Sequence, residues 1–337
     1  MTGQNRRRYP ATCCGVVHST GGSLAVYAAI DVGTNTLRLL VADAVSPDHF
    51  TVLHEEQTIP RLGEGLIPSR LLQDAPIRRS LTILKRFAEV ARRLKATHVA
   101  AVATSAVREA GNREEFVAAV LLESGLSIQV IDGSEEARLT LLGVRHGLRL
   151  GSSRVLVMDI GGGSTEFILA KGETIEAIVS TGLGVVKLTE AHLTSDPPTP
   201  GELQAMERVV ADRVGRLRDE LPDLQGTALI GAAGTPTTLA AIDLGLTVYT
   251  PDRVDGHRLS MTRTRQLLHE LATKPLAERS KIPLLEPGRA DLIVAGATLA
   301  VTVMCMLGYD EFMVSDSGLR EGILLDLLRH HKKSPPL

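Results

Sequence analysis

Tryptophan is absent from the 337 residues, and aromatic side chains make up only 3% of them. That leaves little for bases to stack on and excludes the usual single-strand nucleic-acid platforms. Net charge is lacking too: 37 Lys and Arg against 39 Asp and Glu give −2, so no whole-molecule field draws in a polyanion. Any such affinity must come from local clustering. Three cysteines, two of them the adjacent Cys13 and Cys14, cannot build a disulfide framework or a zinc site of the usual spacing. A reducing compartment follows, with the cytoplasm as the expected location. Residues 1–23 carry Arg6, Arg7 and Arg8 but no apolar run, which argues against a secretory leader and predicts a disordered extension. The uncharged stretch from Leu292 to Gly308 falls short of the ~20 residues that span a bilayer. Its Gly, Ala and Thr content predicts a buried helix packed through small side chains rather than a membrane span.

What is present is ordinary for a soluble protein of about two domains, with 44% hydrophobic and 23% charged residues. The order of the elements is more telling. Val26 to Asp43 reads as an apolar strand, the turn DVGTNT and a second strand; Val155 to Ala170 repeats that grammar around DIGGGST. Aligning Asp31 with Asp159 also aligns Gly33 with Gly161 and Thr36 with Ser164. Such a duplication predicts two related α/β domains whose hairpin turns face each other across a cleft. The first domain is expected over 24–133, joined by a returning helix at 317–330, and the second over 134–316. Helices are predicted near 76–95, 113–123, 135–148 and 202–217, and strands near 98–103, 127–131, 227–230 and 311–314.

The turns carry the chemistry. Gly33 and Gly161 to Gly163 are expected to adopt positive φ, so that successive N–H groups converge on an anion. Hydroxyls of Thr34, Thr36, Ser164 and Thr165 add donors. Asp31 and Asp159 head their loops, where a carboxylate would repel phosphate unless a cation bridged the two; a hard divalent ion, Mg²⁺ or Mn²⁺, resolves the conflict, with Glu166 two residues beyond Ser164 joining the shell. Gly234 and Thr235 form a third glycine turn, with Thr235 expected as N-cap and Pro236 as the first helical residue. Arg108, in TSAVREAGN, offers a fork of donors suited to phosphate. In DGSEEARL, Ser134 is the expected N-cap and Glu135 and Glu136 lie in the first helical turn. If Glu136 points into the cleft it can take a proton from an attacking water.

Together DVGTNTLR, RLGEGL, TSAVREAGN, DGSEEARL, DIGGGSTE, GAAGT and SDSGLREG resemble the exopolyphosphatase and guanosine pentaphosphate phosphohydrolase family, from about Ala28 to Arg329. The resemblance implies paired ribonuclease-H-like domains of the actin-like, sugar-kinase-like superfamily. It implies that Glu136 is the catalytic glutamate, Arg108 a phosphate-binding arginine, and Asp159 and Glu166 metal-associated acids. Asn35 and Arg38 join the phosphate set, and Arg61 and Arg320 are expected as channel cations. The implied reaction is release of orthophosphate from the end of inorganic polyphosphate or from guanosine pentaphosphate. No nucleic-acid or membrane partner is expected, and a homodimer is. Two other readings stay open: a kinase using the same hairpins for ATP, and an actin-like nucleotide-binding scaffold.

Overall fold

The computed structural model describes residues 25–46 and 48–331; the predicted extension over 1–23 lies outside the described residues. A first sheet contains β1 (Val26–Val32), β2 (Leu37–Ser46), β3 (His49–Thr58), β4 (Ala96–Ala103) and β5 (Ile128–Val130), in the order β3-β2-β1-β4-β5. The second contains β6 (Arg154–Ile160), β7 (Thr165–Lys171), β8 (Thr174–Thr181), β9 (Ala228–Ala232), β10 (Arg258–Ser260) and β11 (Glu311–Val314), in the order β10-β11-β9-β6-β7-β8. Read from β8, the second sheet repeats the first: three antiparallel strands, then two parallel additions, with β10 as an extra edge. This is the ribonuclease-H-like arrangement, present twice. The duplication read from two hairpins therefore extends through both sheets.

Strand β1 is covered on both faces, which is why YAAI reads as a continuous apolar run rather than an alternation. Ala28, Ile30 and Val32 pack with Leu84, Phe87 and Ala91 of the helix Asp74–Arg93, while Tyr27 and Ala29 pack with Ile323 and Leu324 of the terminal helix Leu319–His331. The helix Ile293–Leu307 is buried in the core of the second sheet, as its small residues predict. Among the described residues no helix is long and apolar enough to cross a membrane.

Two predicted caps differ from those observed. Asp132, not Ser134, caps the crossing helix Gly133–Leu148, its carboxylate accepting from Glu135 N at 2.9 Å. An aspartate one turn before Glu135 does this better than a serine that is already helical. The third glycine turn enters its helix at Gly234, with Ala233 as the N-cap at φ 71°, so Thr235 and Pro236 lie inside the first turn.

Candidate active site

Both hairpin turns close in the same way. Gly33 N donates to Thr36 O at 3.1 Å, and Gly161 N donates to Ser164 O at 3.0 Å. A Cβ on either glycine would meet that carbonyl at 2.9 Å. Gly33 and Gly161 to Gly163 do not have the positive φ expected of them. Close approach is what excludes a side chain here. A Cβ on Gly162 would lie 3.1 Å from Thr34 Cβ and 3.2 Å from Asn35 N, and one on Gly163 would lie 2.4 Å from Ser105 Oγ and 2.7 Å from Thr34 Oγ1. The second turn therefore rests against the first, although about 130 residues separate them in the chain.

A cleft of about 1170 Å³ opens over the paired turns. Asp31, Gly33 to Thr36, Arg38, Glu136, Asp159, Gly161 to Ser164, Gly234, Thr235 and Arg320 all line it. Thr165, Glu166, Arg108 and Arg61 are not part of this lining. Thr165 Oγ1 donates to Leu183 O at 2.5 Å, so its proton serves the hairpin instead of an anion. Arg61 pairs with Asp291 at 2.6 Å, which takes it out of the expected channel role. Arg320 reaches the cleft but its guanidinium is held by Glu321, and by Glu55 at 3.4 Å.

The register of the hairpins explains the acids. Asp31 pairs across β1 and β2 with Arg38, and Asp159 pairs across β6 and β7 with Glu166. Asp31 and Asp159, at equivalent positions of the duplicated hairpin, are both acidic, whereas their cross-strand partners Arg38 and Glu166 carry opposite charges. Asp159 accepts from Thr140 Oγ1 at 3.0 Å, and Glu166 accepts from Ser180 Oγ at 2.8 Å. Glu136 accepts from Arg108 Nη1 at 2.9 Å, and the same nitrogen donates to Ile131 O at 3.0 Å. Arg108 therefore holds the glutamate in place.

Burial dominates the protonation of all four acids. It lifts Asp31 from 3.8 to about 6, with Arg38 opposing and Asp159 adding repulsion. Burial and then the Asp159 charge lift Glu166 from 4.5 to about 7. Asp159 is raised by burial against its bond from Thr140. Glu136 is pushed well up by burial and then by Glu166, with Arg108 opposing. Four desolvated carboxylates in mutual repulsion are what a cation relieves.

Residues present fit a hard divalent ion. Asp31 Oδ1 is buried and has no hydrogen-bond partner. Among the described residues no three His, Cys, Asp or Glu side chains form a ready metal cage. Mg²⁺ does not need one, since it takes one or two carboxylates and completes its shell with water and phosphate oxygens.

The same shifts predict a pH dependence. A carboxyl whose folded pKa is raised adds stability fully below its unfolded value, and that contribution is lost as pH rises through the folded value. Asp31 and Glu166 set this window between about 4 and about 7. The Asp31 shift alone contributes on the order of 3 kcal/mol. The chelated protein is therefore expected to melt at a lower temperature at pH 8 than at pH 5, with Mg²⁺ raising the melting temperature more at pH 8. Calorimetry with and without chelator checks both; equal Mg²⁺ effects at the two pH values would exclude these acids as the ion's ligands.

Arg289 was not among the residues expected from sequence. It lies in the cleft, with its guanidinium carbon 3.6 Å from where a Cβ on Gly234 would be. Burial, followed by the nearby charge of Arg38, lowers its pKa. Its place depends on the turn at Gly288, φ 85°, whose backbone only the folded chain reveals.

Paired ribonuclease-H-like sheets whose turns meet above buried carboxylates define the actin-like, sugar-kinase-like class of fold. Within it the chain belongs to the Ppx/GppA phosphatase family, which it matches over residues 40–331. It is 34% identical over 317 residues to exopolyphosphatase 2 of Mycobacterium tuberculosis, covering 90% of this chain and 99% of that protein. Exopolyphosphatase 1 of Mycobacterium leprae is 32% identical over 311 residues, 88% of this chain and 87% of that one. Among solved structures, the Ppx/GppA family member of Aquifex aeolicus superposes with a TM-score of 0.77 at 31% identity, covering 93% of this chain and 100% of that one. An exopolyphosphatase from Cytophaga hutchinsonii superposes at 0.84 with 29% identity, covering 90% and 98%.

Proposed function

We propose that the protein is an exopolyphosphatase that hydrolyses the terminal phosphoanhydride of inorganic polyphosphate and releases orthophosphate. The observation that carries this reading is the contact between the two turns with Glu136 beside them on the same cleft wall. Backbone N–H groups and the hydroxyls of Thr34, Thr36 and Ser164 take the oxygens of the terminal phosphoryl group. Asp31 and Asp159, with Glu166 paired across from Asp159, hold Mg²⁺ or Mn²⁺, which when bound neutralises phosphate oxygens. Glu136 accepts the proton of a water as the water oxygen bonds to phosphorus and the bridging oxygen leaves with the shortened chain. Arg108 positions Glu136 and favours its ionised form, opposing the burial and the neighbouring acid that raise its pKa. Arg289 and Arg38 bind the phosphates next to the one transferred.

Guanosine pentaphosphate presents the same terminal bond and is the second reading. Orthophosphate release from polyphosphate, guanosine pentaphosphate and ATP under one Mg²⁺ condition tests the choice. Fastest release from polyphosphate is expected; release from guanosine pentaphosphate alone would select the second reading, and ADP formed only with an acceptor present would indicate a kinase. Arg289→Ala is expected to raise KM for polyphosphate about tenfold or more with a smaller change in kcat, as loss of a charge-assisted contact made before and during reaction requires. An unchanged KM would remove Arg289 from the binding set.

A further inference from the structure

The helix Asp74–Arg93 carries a charge pattern that the site does not use. From Asp74 to Lys95 there are seven cations and two acids, in a chain whose overall charge is −2. The cations fall in two rows spaced by seven: Arg79, Arg86 and Arg93, and beside them Arg78, Lys85 and Arg92. Seven residues are nearly two full turns, so each row runs along one face with its charges about 10 Å apart. All six side chains are exposed.

The first row reaches the active-site cleft, and the second runs beside it. Arg86 and Arg93, together with Val90 and Leu94, line its mouth. The first row is partly neutralised, since Arg79 donates to Glu64 at 2.7 Å and Arg86 pairs with Glu56. The second row is not: among the described residues Arg78, Lys85 and Arg92 have no ion-pair partner. Apolar packing on the opposite face, through Leu81, Leu84, Phe87 and Ala88, fixes the helix and accounts for none of these charges. The exposed face is predominantly cationic, with Asp74 and Glu89 as the acids among seven cations, and its first row reaches the cleft.

We infer that this helix face is an outer binding track for a long polyphosphate chain, holding the units that extend from the cleft while the terminal unit sits over the paired turns. The inference rests on the polyphosphate reading above and adds a second site to it. A linear polyanion with one negative charge per unit suits a row of regularly spaced point charges that makes no demand on sequence. Its binding energy would come chiefly from release of counterions and would be strongly salt-dependent. Arg78, Lys85 and Arg92 are not part of the cleft lining, so the track should matter only for substrates long enough to extend out of the cleft.

The test is the triple variant R78Q/K85Q/R92Q, whose positions lie outside the cleft. Binding of long-chain polyphosphate, of tripolyphosphate and of single-stranded DNA is measured at several salt concentrations, alongside orthophosphate release from each polyphosphate. The expected result is a loss of at least tenfold in affinity for the long chain, a shallower salt dependence, and tripolyphosphate turnover within twofold of the parent. R78K/R92K, which keeps the charges, should retain long-chain affinity. Unchanged long-chain affinity in the glutamine variant would overturn the track, as would an equal loss for tripolyphosphate. A loss confined to single-stranded DNA of similar length would also overturn it, in favour of a nucleic-acid face. Failure of the parent protein to release orthophosphate from either polyphosphate would instead refute the proposed activity, and the binding measurement separates that result from failure of the track.

Discussion

Glu136→Gln is expected to reduce kcat for orthophosphate release about a thousandfold, within the range that loss of a general base produces. Gln keeps the length and shape of the side chain, and its amide oxygen can still accept from Arg108 Nη1, which now sits 2.9 Å from the carboxylate. The backbone donors and the acids Asp31 and Asp159 are untouched, so KM should move little. The choice of Glu136 over Glu166 rests on exposure to the cleft. Glu166 is 1% exposed, accepts from Ser180, and is not part of the cleft lining, whereas Glu136 is part of it. A second readout separates loss of a base from damage to the fold. Burial raises the pKa of Glu136, so removing its charge should raise the melting temperature at pH 8 and leave it nearly unchanged at acidic pH. Near-normal release of orthophosphate by a folded Glu136→Gln protein would sink the assignment.

The parts of the site that were legible in the sequence share one property: their pattern is local. DVGTNT and DIGGGST announce turns between buried strands, and the duplication aligns Asp31 with Asp159 without any coordinates. That alignment also sets Arg38 against Glu166, a difference whose meaning needs the strand register to appear. The turn glycines were recognised for the wrong reason. Sequence offers φ as the usual explanation for glycine, but the constraint on Gly162 and Gly163 is a neighbouring turn distant in the chain. Strands β3 and β8 were not predicted. β3 is half-exposed along HFTVLHEEQT, so its alternation is blurred by polar residues on both faces. Arg320 and Arg61 were expected as channel cations because sequence shows charge and not partners; Glu321, Glu55 and Asp291 supply those partners only in the fold.

Gly322→Ala is expected to destabilise the protein by roughly 3 kcal/mol or more, at the upper end of what overpacking costs. A Cβ there would lie 1.8 Å from Leu139 O and 2.6 Å from Leu139 C, and the facing Gly143 has the same problem, 2.0 Å from Gly318 O. The crossing helix and the terminal helix thus meet backbone to backbone, through GVRHG in one and GLREG in the other. Neither carbonyl belongs to a flexible side chain, so relief requires the helices to separate. Separation would loosen the packing of Leu139 with Leu319, Ile323 and Leu324 against β1 and β2. Gly318→Ala is the matched control, since a Cβ there meets nothing within 4 Å, and it should change stability by less than about 1 kcal/mol. Calorimetry of the two variants decides the matter: equal melting temperatures would mean that the helices do not meet through Gly322. The consequence for activity follows from where Glu136 sits. It lies in the first turn of the helix that Gly322 touches, so a shifted crossing helix moves the base relative to the paired turns. Turnover by Gly322→Ala should therefore fall even at temperatures where the variant remains folded, because a base displaced by about 1 Å is already costly.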